Sequence, residues 1–355
     1  MTPLRVCAIT AGRNAPPARF RIRQHLQPLR TMGVEVTEYV PRVPQAMPMP
    51  GMLRHVRRRW LGPVSAAWAL AHAAARLPAI VDSRTFDAVW LERSFAPGLD
   101  PLARLIRRPL VLDIDDAVWL EGLAGKGLPG LTRQAAAAIA GNRYLADWLA
   151  PFCSNVHIVP TAIDCQRFSP ASRHAGAAAR QGFVMGWTGT AGNFRHLESI
   201  APALSRVLRE VPGASLLVIA EREPQLPALV GLPVTFVRWS PVVEVTALAG
   251  ADVGIMPLED NEWTRGKCSF KMLQYMALGL PTVVSPVGMN RDVLAHGESG
   301  IAAVSQDDWV AALRQLAGDP DLRHRLGSTG REVVLAHYDV PVVAARIAAA
   351  LRSVA

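Results

Sequence analysis

Lysine is almost missing from this 355-residue chain: of its 38 basic residues only Lys126, Lys267 and Lys271 are lysine, and the rest are arginine. Such an exchange is a bias of composition wherever any positive charge suffices, so two surviving lysines four positions apart mark a place to look for a specific role. Cysteine is scarce too. Cys7, Cys153, Cys165 and Cys268 lie far apart with no Cys-x-x-Cys pair, which argues against a disulfide framework and a thiolate zinc site and leaves four buried small hydrophobes. No apolar run reaches the roughly 18 residues a bilayer span needs. Met1 to Gly12 lacks the ordered charged, apolar and cleavage regions of a signal peptide, so the expectation is a cytoplasmic protein. Zinc-finger spacing, a recognition-helix signature and an aromatic RNA-binding strand are all absent. The formal charge of +9 therefore does not point to nucleic acid.

One further absence is local. From Tyr39 to Val81 there is no acidic residue, while the stretch carries Arg42, Arg54, Arg57, Arg58, Arg59 and Arg76. Leu53, Val56 and Trp60 would fall on one helical face and the arginines largely elsewhere. Two readings fit: a helix over residues 51–76 lying on an anionic membrane surface, peripheral to its inner face, or an ordinary amphipathic helix packed on its own domain.

What is present is an alternation of short apolar runs with helical segments. Strands are expected at Leu4 to Thr10, Val34 to Val40, Ala88 to Glu92, Leu110 to Leu112 and Val156 to Pro160, with helices at Arg19 to Met32, Val64 to Leu77 and Pro101 to Arg107. A segment rich in Ala, Ser and Arg follows. The alternation then resumes with strands at Phe183 to Trp187, Ser215 to Ala220, Val234 to Val237, Val253 to Met256 and Thr282 to Ser285, and helices at Phe194 to Glu210, Val242 to Gly250 and Lys267 to Leu278. Continuous apolar runs without alternation suit parallel strands buried on both faces. The fold class is α/β with two doubly wound, Rossmann-like domains facing across a cleft. The division is residues 1–168, a linker at 169–182, a second domain at 183–338, and a C-terminal helix at 339–355 crossing back to the first.

Three places carry chemistry. Gly186-Trp-Thr-Gly-Thr-Ala-Gly192 follows a strand and opens a helix, so backbone N–H groups at Gly189 and Thr190 could approach an anion. Lys267 and Lys271, four apart on one expected helix, would share a face and flank one diphosphate. Asp113-Ile-Asp-Asp116 ends a strand. An Asp-x-Asp can hold manganese in metal-dependent enzymes of another fold, but acids at strand ends are common, and Asp115 and Asp116 are read instead as residues facing the cleft, with no metal. Gly12 at the first strand-to-helix turn is where backbone would approach a ligand, and Arg19 is the candidate for an anionic group on it. His196 reads as a solvated surface residue, and no histidine pair has metal-ligand spacing.

Lys271-Met-Leu-Gln-Tyr-Met-Ala-Leu-Gly-Leu-Pro-Thr-Val-Val-Ser285, the loop from Pro286 to Gly300, and Val159-Pro-Thr-Ala-Ile-Asp-Cys-Gln-Arg-Phe-Ser-Pro170 together resemble the GT-B glycosyltransferases of family 4. The resemblance is specific over about Val156 to His337. It implies a retaining, metal-independent transfer of a sugar from a nucleotide-diphosphate sugar, a UDP-sugar being favoured, to a polysaccharide, lipid-linked sugar or protein, with no cofactor beyond the donor. It implies that Gly288, Met289 and Asn290 offer backbone groups to the donor, that Lys267 and Lys271 neutralise the diphosphate, and that Gln274 meets the ribose hydroxyls; with a sugar transfer in view, Gly12 is where backbone approaches the donor or acceptor, and Arg19, Asp115 and Asp116 are acceptor-side residues. The family's two glutamates fall on Gly266 and Gln274 here, so Gln274→Glu is expected to be tolerated. The same departure leaves a non-catalytic nucleotide-sugar or glycan-binding protein as the alternative.

Overall fold

The computed structural model describes residues 2–13, 15–42, 67, 70–94, 100–106, 108–171 and 182–355. The arginine-rich stretch 51–76 lies mostly outside them, as does most of the expected linker 169–182. Residues 70–74 are helical, and no helix among the described residues is long and apolar enough to cross a membrane. The chain divides into two compact units. The first comprises Met1–Ala162, Gly266–Cys268 and Val340–Ala355, and the second Ile163–Arg265 and Ser269–Asp339.

The first unit is built on a six-stranded parallel sheet: β1 (Leu4–Ile9), β2 (Val34–Tyr39), β3 (Ala88–Glu92), β4 (Leu110–Ile114), β5 (Ala137–Ala140) and β6 (Val156–Ile158), in the order β2-β1-β3-β4-β5-β6. Every residue of β3, β4 and β5 is buried, as continuous apolar runs covered on both faces require. Val343, Ile347 and Leu351 of the helix Val340–Arg352 join Val6, Trp90, Val111 and Ile139 in the core. The strand order reverses between β1 and β3, and a doubly wound sheet offers its ligand crevice outside the carboxyl ends at such a reversal.

The second unit repeats the plan with β7 (Phe183–Thr188), β8 (Ala214–Ala220), β9 (Val234–Arg238), β10 (Val253–Met256), β11 (Thr282–Val284) and β12 (Gly300–Ala302), all parallel in the order β12-β11-β10-β7-β8-β9. Here the reversal falls between β7 and β10. The helix Phe270–Ala277 is fastened to both of those strands: the Tyr275 hydroxyl accepts from Thr188 N at 3.1 Å and donates to Ile255 O at 3.3 Å. It can approach because Gly254 has no side chain, since a Cβ there would stand 2.1 Å from the Tyr275 ring. Gly254 pairs with Gly186 across the two strands.

Several expectations are corrected. The division falls after Ala162, not 168, because Ile163 N donates to Tyr338 O and Arg331 holds the carbonyls of Cys165 and Phe168. The helix expected over Phe194 to Glu210 is two, Phe194–Ser199 and Ala201–Glu210. Pro202 near the start of the second has no N–H to continue the first. The helix expected from Lys267 starts only at Phe270. Ser269 before it lies in the left-handed region at φ 52°, which stops helical backbone from extending back to Lys267. All four cysteines are buried thiols. His196 is buried, 1% exposed, not solvated; it lies on the short helix Phe194–Ser199, whose Leu197 enters the second unit's core.

Candidate active site

Each unit carries a polar cluster at the carboxyl end of its sheet. In the first unit the cluster starts where β1 and β3 part. Glu92, the last residue of β3, accepts from Ala11 N at 3.0 Å through Oε2 and is 1% exposed. Its Oε1 has no hydrogen-bond partner among the described residues. Burial, partly opposed by the Ala11 bond and reinforced by Asp115, pushes the Glu92 carboxyl up to about 8. Such a group holds its proton in the folded chain while giving it up in the unfolded one. The stability it contributes is complete below its ordinary pKa of 4.5 and is lost as pH rises to about 8, with a slope of up to about 1.4 kcal/mol per pH unit. Glu92→Gln should remove that slope. Thermal melts of both proteins across this range check it, and parallel curves would mean that another group titrates.

Arg93 follows, in the left-handed region at φ 61°. Its Nε meets Asp115 and its Nη2 meets Asp116, each at 2.7 Å. The two predicted acceptor-side acids are thus held by one guanidinium. Burial pushes both carboxyls up. Arg93 brings Asp115 below the ordinary range, while repulsion from Asp115 leaves Asp116 above it despite Arg93 and Lys267. The first aspartate of the motif, Asp113, faces the other way: its Oδ1 accepts from Arg21 Nε at 3.0 Å and Nη2 at 2.7 Å, and its Oδ2 from the Trp90 indole at 3.1 Å. Arg21 also donates to Val159 O at 2.8 Å, and the pair is sealed from solvent, at 2% and 0% exposure.

Gly12 has φ 150° and its carbonyl accepts from Arg23 at 3.0 Å. Arg19 is half-buried with its guanidinium 4.8 Å above the Phe20 ring. Lys267 belongs to this unit, not to a helix face shared with Lys271: its carbonyl accepts from Asn142 Nδ2 at 3.1 Å. The adjacent Cys268 donates to Asp115 O at 3.0 Å, against Gly141, where a Cβ would stand 2.3 Å from its sulfur. No group of three or more His, Cys, Asp or Glu among the described residues is arranged to hold a metal ion.

The second unit's cluster lies where β7 and β10 part. Lys271, in the first turn of the helix Phe270–Ala277, has its Nζ 5.3 Å from the Trp187 ring centre. Its stem runs along Gly189, where a Cβ would be 2.8 Å from Lys271 Cε and 2.6 Å from the Trp187 ring. Glycine at 189 is therefore what lets the lysine reach the end of β7. The turn itself is less available than its sequence suggests. Gly189 N donates to Ile219 O, Asn193 N to Thr190 O, and Ala191 N to the Glu221 carboxylate at 2.7 Å; the Thr190 hydroxyl accepts from Asn193.

Gly288 has φ 53°, and a Cβ there would stand 2.6 Å from Arg265 O. Met289 and Asn290 are buried. Asn290 differs from expectation, because its N–H donates to Val287 O and its amide links Ser269 Oγ at 2.7 Å to Ser285 O at 3.0 Å. It fixes the loop and has no backbone donor left to offer. Gln274, one turn after Lys271, donates from Nε2 to Glu244 Oε1 at 2.8 Å. Neither Glu244 nor Arg93 stood out in the sequence. Arg93 had a signal, since it directly follows the strand Ala88–Glu92, at a carboxyl end where such sheets place their ligand crevice.

Residues 182–319, the greater part of the second unit, match the family model described as Glycosyl transferases group 1. No curated protein sequence matches the chain. Among solved structures it resembles sucrose-phosphate synthase from Thermosynechococcus elongatus at 16% identity over 99% of this chain and 98% of that one, TM-score 0.72. Anabaena HepE in complex with UDP and glucose is 14% identical over 99% of this chain and 100% of that one, TM-score 0.69. A UDP-forming trehalose-phosphate synthase from Burkholderia xenovorans is 13% identical over 100% and 99%, TM-score 0.69. These are likenesses of fold. Two doubly wound parallel sheets of this kind, the second bearing that domain, define the GT-B class. The chain thus carries a glycosyl transferases group 1 domain at residues 182–319.

Proposed function

We propose that the chain transfers a sugar from a UDP-sugar to a hydroxyl of a glycan, lipid-linked or protein acceptor, with retention of anomeric configuration and without a metal ion. The observation that carries this reading is Lys271, an ammonium group among arginines, laid along Gly189 at the strand reversal of the group 1 domain. Cleaving a sugar from a diphosphate separates a developing oxocarbenium ion from a leaving group that gains charge. Preorganised positive charge at the leaving oxygen is then the largest contribution a protein can make. Lys271 supplies it, and the departing phosphate takes the acceptor's proton on the same face. That the HepE structure holds UDP and glucose supports the choice of nucleotide. Asp115, Asp116 and Arg19 are assigned to the acceptor.

A thermal-shift series with UDP, GDP and ADP, each with and without EDTA, tests the reading. A ligand bound only by the folded chain adds about 2.7 kcal/mol at a hundredfold excess over its Kd. UDP should raise the melting temperature equally in both conditions. A shift that EDTA abolishes would overturn metal independence, and no shift with any nucleotide would overturn the donor assignment.

A further inference from the structure

Gln274 is buried, at 2% exposure, and its amide has one hydrogen-bond partner among the described residues, Glu244. Against a carboxylate only the NH2 end of an amide can bond, so Glu244 dictates which way the group faces. The amide oxygen is turned away from Glu244 and can only accept. Glu244 is itself fixed. It lies in the first turn of the helix Val243–Leu248, is 4% exposed, and its Oε2 accepts from Arg167 at 3.1 Å, while the same guanidinium nitrogen donates to Pro241 O at 2.6 Å. A hydrogen bond from the amide to an ionised carboxylate also polarises the amide, which strengthens its oxygen as an acceptor. That oxygen belongs to a residue about 4.5 Å along the helix axis from Lys271, on the same face. What flanks a diphosphate on either side in a nucleotide sugar is a hydroxyl-bearing ring.

We propose that Glu244 is a positioning residue that holds Gln274 with its oxygen toward the ligand, so that Gln274 accepts a hydroxyl of the nucleotide sugar beside the diphosphate. The proposal rests on the nucleotide-sugar reading above. It reverses one expectation from the sequence: Gln274→Glu is not tolerated in this chain, because it sets a second buried carboxylate against the first. It also says where the missing charge has gone, from position 274 to position 244.

Calorimetric titration of the full chain with UDP, 2′,3′-dideoxy-UDP and UDP-glucose tests this in the wild type, Glu244→Gln, Gln274→Glu and the reciprocal Glu244→Gln/Gln274→Glu. The ratio of UDP to dideoxy-UDP reads a ribose hydroxyl, and that of UDP-glucose to UDP reads the sugar. One of the two ratios should fall by about tenfold in Glu244→Gln. Gln274→Glu should weaken UDP-glucose by about tenfold or more, and the reciprocal variant, which restores one amide facing one carboxylate, should recover most of that loss. Should Glu244→Gln fail to fold, the comparison of Gln274→Glu with the reciprocal variant decides alone. Both ratios unchanged in Glu244→Gln, or no recovery in the reciprocal variant, overturns the proposal. A wild type that binds none of the three overturns the nucleotide-sugar reading itself, a result visible before any variant is made.

Discussion

Arg21→Met should destabilise the first unit by about 3–5 kcal/mol, the cost of stranding one partner of a buried ion pair. The Asp113 carboxylate has no water to turn to, being fully buried. Burial pushes it up and Arg21 pulls it down. With guanidinium nitrogens at 2.7 and 3.0 Å and an indole donor at 3.1 Å, the ionised form is the one the surroundings are built to hold. Methionine fills much of the volume but leaves Trp90 as the carboxylate's remaining donor. It also leaves Val159 O without its partner. A domain of this size loses roughly 2–4 °C per kcal/mol, so the melting temperature should drop by roughly 6–20 °C. The double variant Arg21→Met/Asp113→Leu should recover most of the loss, since replacing a whole buried pair by apolar groups is often neutral. A single variant that melts with the wild type would show that the pair adds nothing.

Lys271→Ala should lower turnover about a hundredfold while leaving the fold intact. The magnitude is that of removing one preorganised donor to a developing anion. The cation–aromatic contact it gives up with Trp187, partly exposed, contributes only about 0.5–1 kcal/mol. Lys271→Arg should keep more of the activity than alanine but not all of it, because a planar fork cannot replace a compact charge. Steady-state kinetics beside a melting curve separate the two effects. Full turnover in the alanine variant would remove Lys271 from the leaving-group role.

The sheets were readable in the sequence where strands are continuous branched and aromatic runs, as at Ala88–Glu92 and Val253–Met256, both met at their boundaries. β5 escaped because Ala137-Ala-Ile-Ala140 favours helix by composition and becomes strand only through its neighbours β4 and β6. β12 escaped because three residues opening on a glycine show no periodicity. Lys271, Gln274, Asp115 and Asp116 were nameable one by one, but Arg93 and Glu244 were not, nor was the pairing within the clusters. Arg21 and Asp113 are 92 positions apart, and Glu244 and Gln274 are 30 apart, and only the sheets bring them together. Lys267 and Lys271 show the opposite failure. Their spacing looked like one helical face, and the single left-handed residue Ser269 undid it.

The composition of the first unit sets an order of events during synthesis. Its core includes Val343, Ile347 and Leu351, and its polar cluster includes Lys267 and Cys268, residues that leave the ribosome after most of the second unit has been made. Domains usually fold in turn from the N-terminus as they emerge. In this chain the N-terminal sheet has to wait, partly uncovered, while the later unit completes itself first. The half-made protein is thereby exposed to aggregation and proteolysis from the completion of β6 at Ile158 until the helix Val340–Arg352 has been made.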